Sequence, residues 1–389
     1  MLRNEDFMKY DFTTIPDRTN TGSLKWDKYR NQDILPFWVA DMDFLVAPEI
    51  KNALHEKINH QVYGYTIPYE EVEDAVLSYL RRKHQYKVLR ESLIWLPGLV
   101  PALNIVCRAF CQKSESVMVC TPVYPPFLTA PEYANRGLIT VPLIWNQNRW
   151  TFDFDRMERT INSQTRLFLL CSPHNPVGQV FSKDDLNLLG EFCCRHNLIL
   201  CSDEIHCDLI LDDKKHCVTA SISKALEDRT ITLMAASKTY NLPGLACAYA
   251  IISNSKLRYQ FQKVARGIIT EVNVMGYSGC VSAYNYGEAW RKELLNVLRI
   301  NRNILLKTLS EETPQIELKA VQATYLAWLN ISKLSIKHPC LFFEEAGVGL
   351  SDGAFFGDGN YVRLNFGCPE KQLKNGLDRI ISAVKKLGL

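Results

Sequence analysis

The chain has 389 residues, 47% hydrophobic and 22% charged, which is typical of a globular protein large enough for two domains. Its 45 basic and 42 acidic side chains leave a net charge of +3, which gives no sign of nucleic acid binding. The first six residues include three charged side chains and no apolar core, so we expect no secretory signal. No stretch approaches the roughly 18 apolar residues of a membrane span. We therefore predict a cytoplasmic protein with no membrane partner.

The thirteen cysteines raise the question of disulfides or metal, but no CxxC pair occurs. Most cysteines lie inside apolar runs, as Cys120 and Cys171 do, which favours buried thiols in a reducing compartment. We therefore predict no metal. The alternative is a metal cluster built from Cys171, His174, Cys201, His206 and Cys207.

In chain order, an irregular segment of about 45 residues precedes apolar residues at helical spacing in 48–58 and 70–83. Short apolar runs then alternate with helical stretches such as 101–111 and 183–196. These runs, each predicted to be a strand, are 93–96, 117–120, 138–143, 167–171, 198–201, 231–234 and 246–252. Near residue 285 the pattern changes to a long helix, a strand pair and further helices.

Strands that alternate with helices predict an α/β fold, with a mostly parallel central sheet wrapped by helices and a smaller α+β domain. The predicted division is an N-terminal segment joining the small domain, a large domain and a C-terminal small domain. These are residues 1–45, 46–285 and 286–389.

Three polar residues follow consecutive predicted strands. Asn175 comes after 167–171, Asp203 after 198–201 and Lys238 after 231–234. In doubly wound sheets, ligands bind beyond the carboxyl ends of the strands. An amine, a carboxylate and an amide are the groups needed to hold pyridoxal phosphate (PLP): the amine forms an imine, the carboxylate keeps the ring nitrogen protonated, and the amide binds the ring oxygen.

Each of the three is weak evidence alone, because a strand-end aspartate is often a helix cap and an Asn-Pro pair is often a turn. Their joint order makes a PLP site the better interpretation. Before them, 95–104 reads as a strand, a glycine turn and a helix start that would suit a phosphate. Tyr124, held among prolines, could stack on a pyridine or pack in a loop. Arg363, amid apolar neighbours, needs an anion, either a substrate carboxylate or a structural ion pair.

The chain resembles fold-type I PLP enzymes, and within them the MalY/PatB-type C–S lyases, over nearly its whole length. The motifs that carry the resemblance are 36–43, 97–104, 122–127, 171–178, 202–206 and 237–239. The resemblance implies that Lys238 bonds covalently to PLP, Asp203 pairs with the pyridine nitrogen and Asn175 binds the ring hydroxyl. Further cofactor-binding residues that it implies are Tyr124, Gly98, Leu99, Val100, Ser237, His206 and Tyr65.

The resemblance also implies a homodimer whose sites lie at the subunit interface, with Tyr65 reaching the neighbour's phosphate. Arg363 and Asn175, with the backbone at Val39 and Ala40, would hold the substrate carboxylate. Two positions depart from aminotransferases. Ala246 replaces a phosphate-binding arginine, which favours the lyase branch, and His206 stands where a tyrosine often contacts the ring oxygen.

The implied reaction is β-elimination of L-cystathionine or a related cysteine S-conjugate to a thiol, pyruvate and ammonia. A small sulfur-containing amino acid is therefore the expected substrate. Two alternatives remain open at this point. One is an aminotransferase of the same superfamily, and the other is a regulatory protein that keeps the fold without catalysis.

Overall fold

The computed structural model describes residues 9–388, so the first eight residues of the predicted N-terminal segment lie outside the described part. The strands, in chain order, are β1 (Leu35–Pro36), β2 (Leu93–Leu96), β3 (Ser116–Thr121), β4 (Gly137–Pro142), β5 (Ile144–Asn146), β6 (Arg149–Thr151), β7 (Thr165–Cys171), β8 (Ile199–Asp203), β9 (Thr230–Met234), β10 (Ala248–Ile251), β11 (Glu317–Leu318), β12 (Leu326–Asn330), β13 (Val348–Gly349), β14 (Ser351–Asp352) and β15 (Tyr361–Asn365).

The helices, numbered in the same way, are α1 (Leu24–Asp27), α2 (Pro48–His60), α3 (Glu70–His84), α4 (Leu99–Phe110), α5 (Pro126–Tyr133), α6 (Phe154–Thr160), α7 (Lys183–Arg195), α8 (Lys224–Glu227), α9 (Ser255–Ala265), α10 (Val274–Tyr286), α11 (Glu288–Glu312), α12 (Pro339–Glu345) and α13 (Glu370–Lys385).

Seven strands form the central sheet in the order β2-β10-β9-β8-β7-β3-β4. The five strands from β9 to β4 are mutually parallel, whereas β10 runs antiparallel to both of its neighbours. In β3, Val117 and Val119 face one apolar core together with residues of α4, while Met118 and Cys120 face a second core with residues of α7. A sheet covered on both faces explains the uninterrupted apolar runs and confirms the α/β prediction.

The second sheet has the order β11-β12-β15-β14 and is antiparallel throughout. One apolar core joins Val76 of α3 to Leu298 of α11 and Leu377 of α13, so helices from both halves of the chain share it. The domain boundaries 1–45, 46–285 and 286–389 stay a prediction.

Local sequence explains where the helices begin. Helix α7 starts with a capping box, in which the side chains of Ser182 and Asp185 each accept a hydrogen bond from the other residue's backbone. Helix α4 begins at Leu99, two residues before the predicted start. Pro101 is tolerated there because a first-turn residue needs no backbone donor.

Residues 37–44, which we call the crossing segment, lead from β1 to α2 and contact both sheets. The backbone N–H of Asn365, in β15, donates to the Phe37 carbonyl at 2.8 Å. The side-chain amide of Asn241, which follows β9, donates to the carbonyls of Met42 and Phe44, each at 2.9 Å. The crossing segment is therefore fixed between the two halves of the fold.

The sequence analysis also expects no membrane-spanning segment and cysteines that are buried thiols. Within residues 9–388, no helix has the length and apolarity needed to cross a membrane. All thirteen cysteines are free thiols, and most of them are buried. Burial raises the pKa of several, Cys120 and Cys171 included, which keeps them in the neutral form.

We expect Gly353→Ala to destabilise the protein. A Cβ at Gly353 would be too close to the carbonyl oxygens of Tyr361 and Asp358, which are backbone atoms and cannot rotate away. Overpacking of this kind lowers the free energy of unfolding by about 1–3 kcal/mol. Gly359→Ala in the same loop is the control, because its nearest atom, Cβ of Ala354, lies 3.8 Å away. Thermal unfolding of both variants measures the difference, and equal melting temperatures would contradict the expectation.

Candidate active site

One cavity of about 160 Å³ collects most of the predicted site residues. It lies beyond the carboxyl ends of β7, β8 and β9, where parallel strands present the residues that follow them. The predicted residues that line it are Ala40, Gly98, Leu99, Val100, Tyr124, Asn175, Asp203, His206, Ser237 and Lys238. The positions inferred from separate motifs therefore converge in space.

Lys238 presents its amine to this cavity. Strand β9 ends at Met234, and the chain then turns through small residues so that Lys238 lies past the sheet edge. Its Nζ donates to the Ala40 carbonyl at 2.7 Å. Burial lowers the pKa of Lys238 to about 8, since the charged form is poorly solvated. A large fraction of this amine is consequently neutral near pH 8, as a nucleophile or base must be.

Asp203 is the last residue of β8 rather than the residue after it. Its Oδ1 accepts a hydrogen bond of 3.1 Å from the Ile205 N–H. Among the described residues no cation forms a salt bridge with this carboxylate, which is only 5% exposed. Burial raises the pKa of Asp203 to about 7. A protonated pyridine nitrogen would supply a cation for this carboxylate, so this position fits PLP.

Arg363 lies in the middle of β15, as predicted, and is buried. Its Nη1 donates to Oδ1 of Asn175 at 3.1 Å, its Nη2 donates to the Trp38 carbonyl at 2.8 Å, and its Nε has no partner. Burial lowers the pKa of Arg363 to about 10. Within residues 9–388 no carboxylate pairs with it, so the structural ion pair considered from the sequence is absent there.

Tyr124 and His206 also line the cavity. The backbone N–H of Tyr124 donates to the Asn175 carbonyl at 3.1 Å, which ties the two predicted residues together. His206 is 3% exposed, and its Nδ1 has no hydrogen-bond partner. Burial, aided by the nearby positive charges of Lys238 and Arg363, lowers the pKa of His206 to about 3. A buried, neutral imidazole with an unpaired nitrogen is suited to a polar ligand atom.

The start of α4 forms the side of the cavity suited to an anion. Gly98, the N-cap residue, has no side chain to bind the free backbone N–H groups of the first turn. Leu99 and Val100 follow it, and Ser237 lies opposite on the turn before Lys238. Unpaired N–H groups at a helix N-terminus, with the helix dipole, favour a phosphate.

Tyr65, Val39 and Arg363 are not among the residues that line the cavity, although Arg363 is hydrogen-bonded to Asn175, which does line it. Tyr65 is fully exposed and lies in the extended stretch between α2 and α3, so the single chain does not bring it to the site. The Val39 carbonyl accepts a hydrogen bond of 2.5 Å from Nδ2 of Asn365. Val39 therefore lies beside Ala40, which lines the cavity, but does not line the cavity itself.

Several residues at the site are not identified by sequence reasoning. Tyr325 donates to the Ala40 carbonyl at 2.9 Å, and Asn365 donates to the carbonyls on either side of it. Cys247 and Pro243 also line the cavity. Asp41 occurs in the motif 36–43 and Asn365 lies two residues after Arg363, and a polar side chain inside an apolar run is the signal by which sequence reasoning could have found either.

The metal cluster considered from the sequence is not formed. His174 directs both ring nitrogens to backbone carbonyls, of Cys171 and Pro122. The potential ligand group that the described residues do contain is His84, Cys207 and Asp208. In that group the Tyr79 hydroxyl donates to Asp208 and contacts His84, so the cluster is a hydrogen-bonded network.

Comparison with known proteins gives the same assignment. The model of the aminotransferase class I and II family matches residues 32–380. Cystathionine beta-lyase PatB of Bacillus subtilis (strain 168) is 35% identical over 385 residues, which cover 96% of this chain and all of PatB.

Two solved structures have the same fold throughout. OvoB superposes with a TM-score of 0.94 at 38% identity, covering 96% of this chain and 98% of OvoB. Cystalysin from Treponema denticola, which contains a pyridoxal 5'-phosphate cofactor, superposes with a TM-score of 0.93 at 33% identity, covering 98% of this chain and 100% of cystalysin. The chain therefore belongs to the aminotransferase class I and II family of fold-type I PLP enzymes, and within it to the group that includes PatB.

Proposed function

We propose that this protein is a PLP-dependent C–S β-lyase that converts L-cystathionine or a related cysteine S-conjugate to a thiol, pyruvate and ammonia. One observation carries the proposal: the Lys238 amine shares a cavity with a buried carboxylate, Asp203, that forms no salt bridge with any cation in the described part of the chain. The full-length similarity to a cystathionine beta-lyase supports the choice of reaction.

PLP, when bound, supplies an aldehyde carbon for a covalent bond to an amine and a ring that accepts electrons from the substrate Cα. Asp203 keeps the ring nitrogen protonated. The amide of Asn175 has its Oδ1 engaged by Arg363, so its Nδ2 is the group available to donate to a ring oxygen. Tyr124 would pack against the cofactor ring, and His206 would offer its unpaired Nδ1 to a polar atom of the ligand.

Lys238 would act as the base that takes the Cα proton of the substrate. Its lowered pKa makes this transfer accessible near neutral pH, and the hydrogen bond to the Ala40 carbonyl orients the amine. A thiol with a pKa of about 8.5 leaves as a thiolate without strong acid assistance, so the elimination needs no acid group in addition to the motif residues.

Arg363 binds the substrate carboxylate. Its guanidinium is buried, and among the described residues it has no anionic partner and its Nε has no hydrogen-bond acceptor, so a carboxylate would satisfy both charge and donors. The Ala40 carbonyl is already engaged by Lys238 and Tyr325, so the backbone near residues 39 and 40 can assist only through N–H groups.

The active form is a homodimer with shared sites. Four apolar side chains stand exposed within residues 62–67, namely Val62, Tyr63, Tyr65 and Ile67, and a patch of this kind marks a contact surface. Tyr65 is fully exposed and does not line the cavity of its own chain. In the dimer it would reach the phosphate of the neighbouring subunit. Thirteen free thiols agree with a cytoplasmic location.

Incubation with L-cystathionine separates the lyase from the aminotransferase that the family description also allows. We expect thiol and pyruvate in equal amounts without any added keto acid. Formation of a keto acid only when an amino acceptor is supplied would replace the lyase by the aminotransferase. Lys238→Ala should lower thiol release by several orders of magnitude because the base is lost, and release at the wild-type rate would contradict its role.

Asp203→Asn should have opposite effects on the empty and the loaded protein. In the empty protein the carboxylate's raised pKa means that stability is lost as pH rises from about 4 through 7, so the Asn variant should be the more stable one at pH 8. With PLP saturating, the wild type should be more stable because its carboxylate pairs with the ring. Melting temperatures with and without PLP test this, and an unchanged order would contradict it.

The shared site predicts subunit complementation. Lys238→Ala and Tyr65→Ala should each be nearly inactive alone, whereas a mixed dimer contains one site with both residues intact. Random mixing in equal amounts should restore about one quarter of wild-type activity, because half of the dimers are mixed. Thiol release after co-refolding measures it. Activity no greater than the sum of the two separate variants would place Tyr65 outside the neighbour's site.

A further inference from the structure

The crossing segment (residues 37–44) has all its carbonyl groups from Phe37 to Met42 hydrogen-bonded to residues outside it. The donors come from the second sheet, from the turn after β9 and from the N-terminal segment: Asn365, Arg363, Ser351, Tyr325, Lys238, Asn241, Arg18 and Lys25. A segment without regular secondary structure is thereby held in one conformation.

The Ala40 carbonyl is the acceptor that faces the reaction centre. It accepts from Nζ of Lys238 at 2.7 Å and from the Tyr325 hydroxyl at 2.9 Å. Nδ2 of Asn365 holds the carbonyls on both sides, those of Val39 and Asp41. The direction of the Lys238 amine therefore depends on where the backbone of residue 40 lies.

The next residues of the segment belong to a buried charge cluster. The Asp43 carboxylate receives Lys25 Nζ on Oδ2 and Arg18 Nη1 on Oδ1, each at 2.7 Å. Arg18 Nη2 binds Asp41 Oδ2 at 2.7 Å, and Lys25 Nζ lies 3.7 Å from Asp41 Oδ1. Lys25 and Asp43 are completely buried. Two cations and two anions thus neutralise one another inside the protein.

Two polar side chains complete the hydrogen bonding of Asp43. Trp26 Nε1 donates to Oδ1 at 2.8 Å, and Gln372 Nε2 donates to Oδ2 at 3.0 Å. Buried ion pairs contribute little net stability compared with apolar packing, but they fix geometry because a broken pair is costly. A cluster with this many partners beside the catalytic lysine is better explained by the position it imposes than by stability.

One member of the cluster also interacts electrostatically with Lys238. The Asp41 carboxylate raises the pKa of Lys238, against the larger lowering by burial. Arg18 holds that carboxylate in place, and the side chain of Arg18 is 23% exposed, so it is the member that can be replaced with least disturbance.

We propose that Arg18, Lys25, Asp41 and Asp43 are positioning residues for Lys238, which they align by fixing the Ala40 carbonyl. None of the four touches the cavity wall, so they act through the crossing segment. This inference rests on the proposed function in one respect, that Lys238 forms a covalent bond with PLP.

The test compares Arg18→Met and Arg18→Lys with Arg30→Met as the matched control. Arg30 lies in the same segment and pairs with Asp27 at 3.6 Å on the surface, away from the cluster. The first measurement is the rate at which the empty protein acquires the imine absorbance band after PLP is added. Steady-state kcat and KM for L-cystathionine and the melting temperature follow.

In Arg18→Met we expect the imine formation rate and kcat to fall about tenfold or more, with KM within about twofold, because a misplaced group costs rate. Arg18→Lys, which can bind only one of the two carboxylates, should recover part of both rates. Arg30→Met should match the wild type.

Wild-type rates in Arg18→Met would overturn the proposal. So would a lower melting temperature with an unchanged rate of imine formation, since that describes a stabilising role alone. If Arg18→Met does not fold, Arg18→Lys decides by the same two measurements. Failure of the wild type to acquire the imine band would instead refute the proposed function, so the two failures are distinguishable.

Discussion

The parallel alignment of β7, β8 and β9 is the constraint on which the site depends. Parallel strands end at the same edge of the sheet, so residues that follow them meet although about 60 positions separate Asn175 from Lys238. β10 runs antiparallel to β9, so its first residue, Ala248, lies at the same edge and lines the cavity. A shift in the pairing of β8 would remove Asp203 from the ring position, because side chains alternate between faces.

Charges that the protein leaves without a partner define what it binds. Within residues 9–388, Asp203 is a buried anion without a cation in salt-bridge range, and Arg363 is a buried cation without a carboxylate partner. Burial disfavours both charged forms, which is why the pKa of the first rises and that of the second falls. A cofactor with a protonated ring nitrogen would pair with Asp203, and a substrate carboxylate would pair with Arg363. Each pairing would offset the cost of a buried charge and so favour binding.

The crossing segment connects chemistry to the architecture of the whole chain. The group that accepts a hydrogen bond from the Lys238 amine is a backbone carbonyl, and side chains from the second sheet, from the turn after β9 and from the N-terminal segment bind the carbonyls around it. Rigid support of this kind is what a base needs, since rate depends steeply on the alignment of the reacting atoms. It also explains why short polar side chains such as Asn365 lie within apolar strands.

The sequence by itself determined the fold class, the succession of the main strands along the chain and the three polar residues at their ends, because apolar runs and turn residues are local signals. The order of the strands within the sheet came from the tertiary structure. The helices for which bounds were predicted lie within two residues of those bounds, as 48–58 against α2 and 70–83 against α3 show. The roles of Tyr65, His206 and the other site residues came from resemblance.

Only the tertiary structure decided that Arg363 has no carboxylate partner, that Val39 lies off the cavity wall and that Arg18 and Lys25 lie against Asp41 and Asp43. Such contacts join residues far apart in the chain. Local patterns contain no information on which distant charge will meet which, since that depends on how the two halves pack.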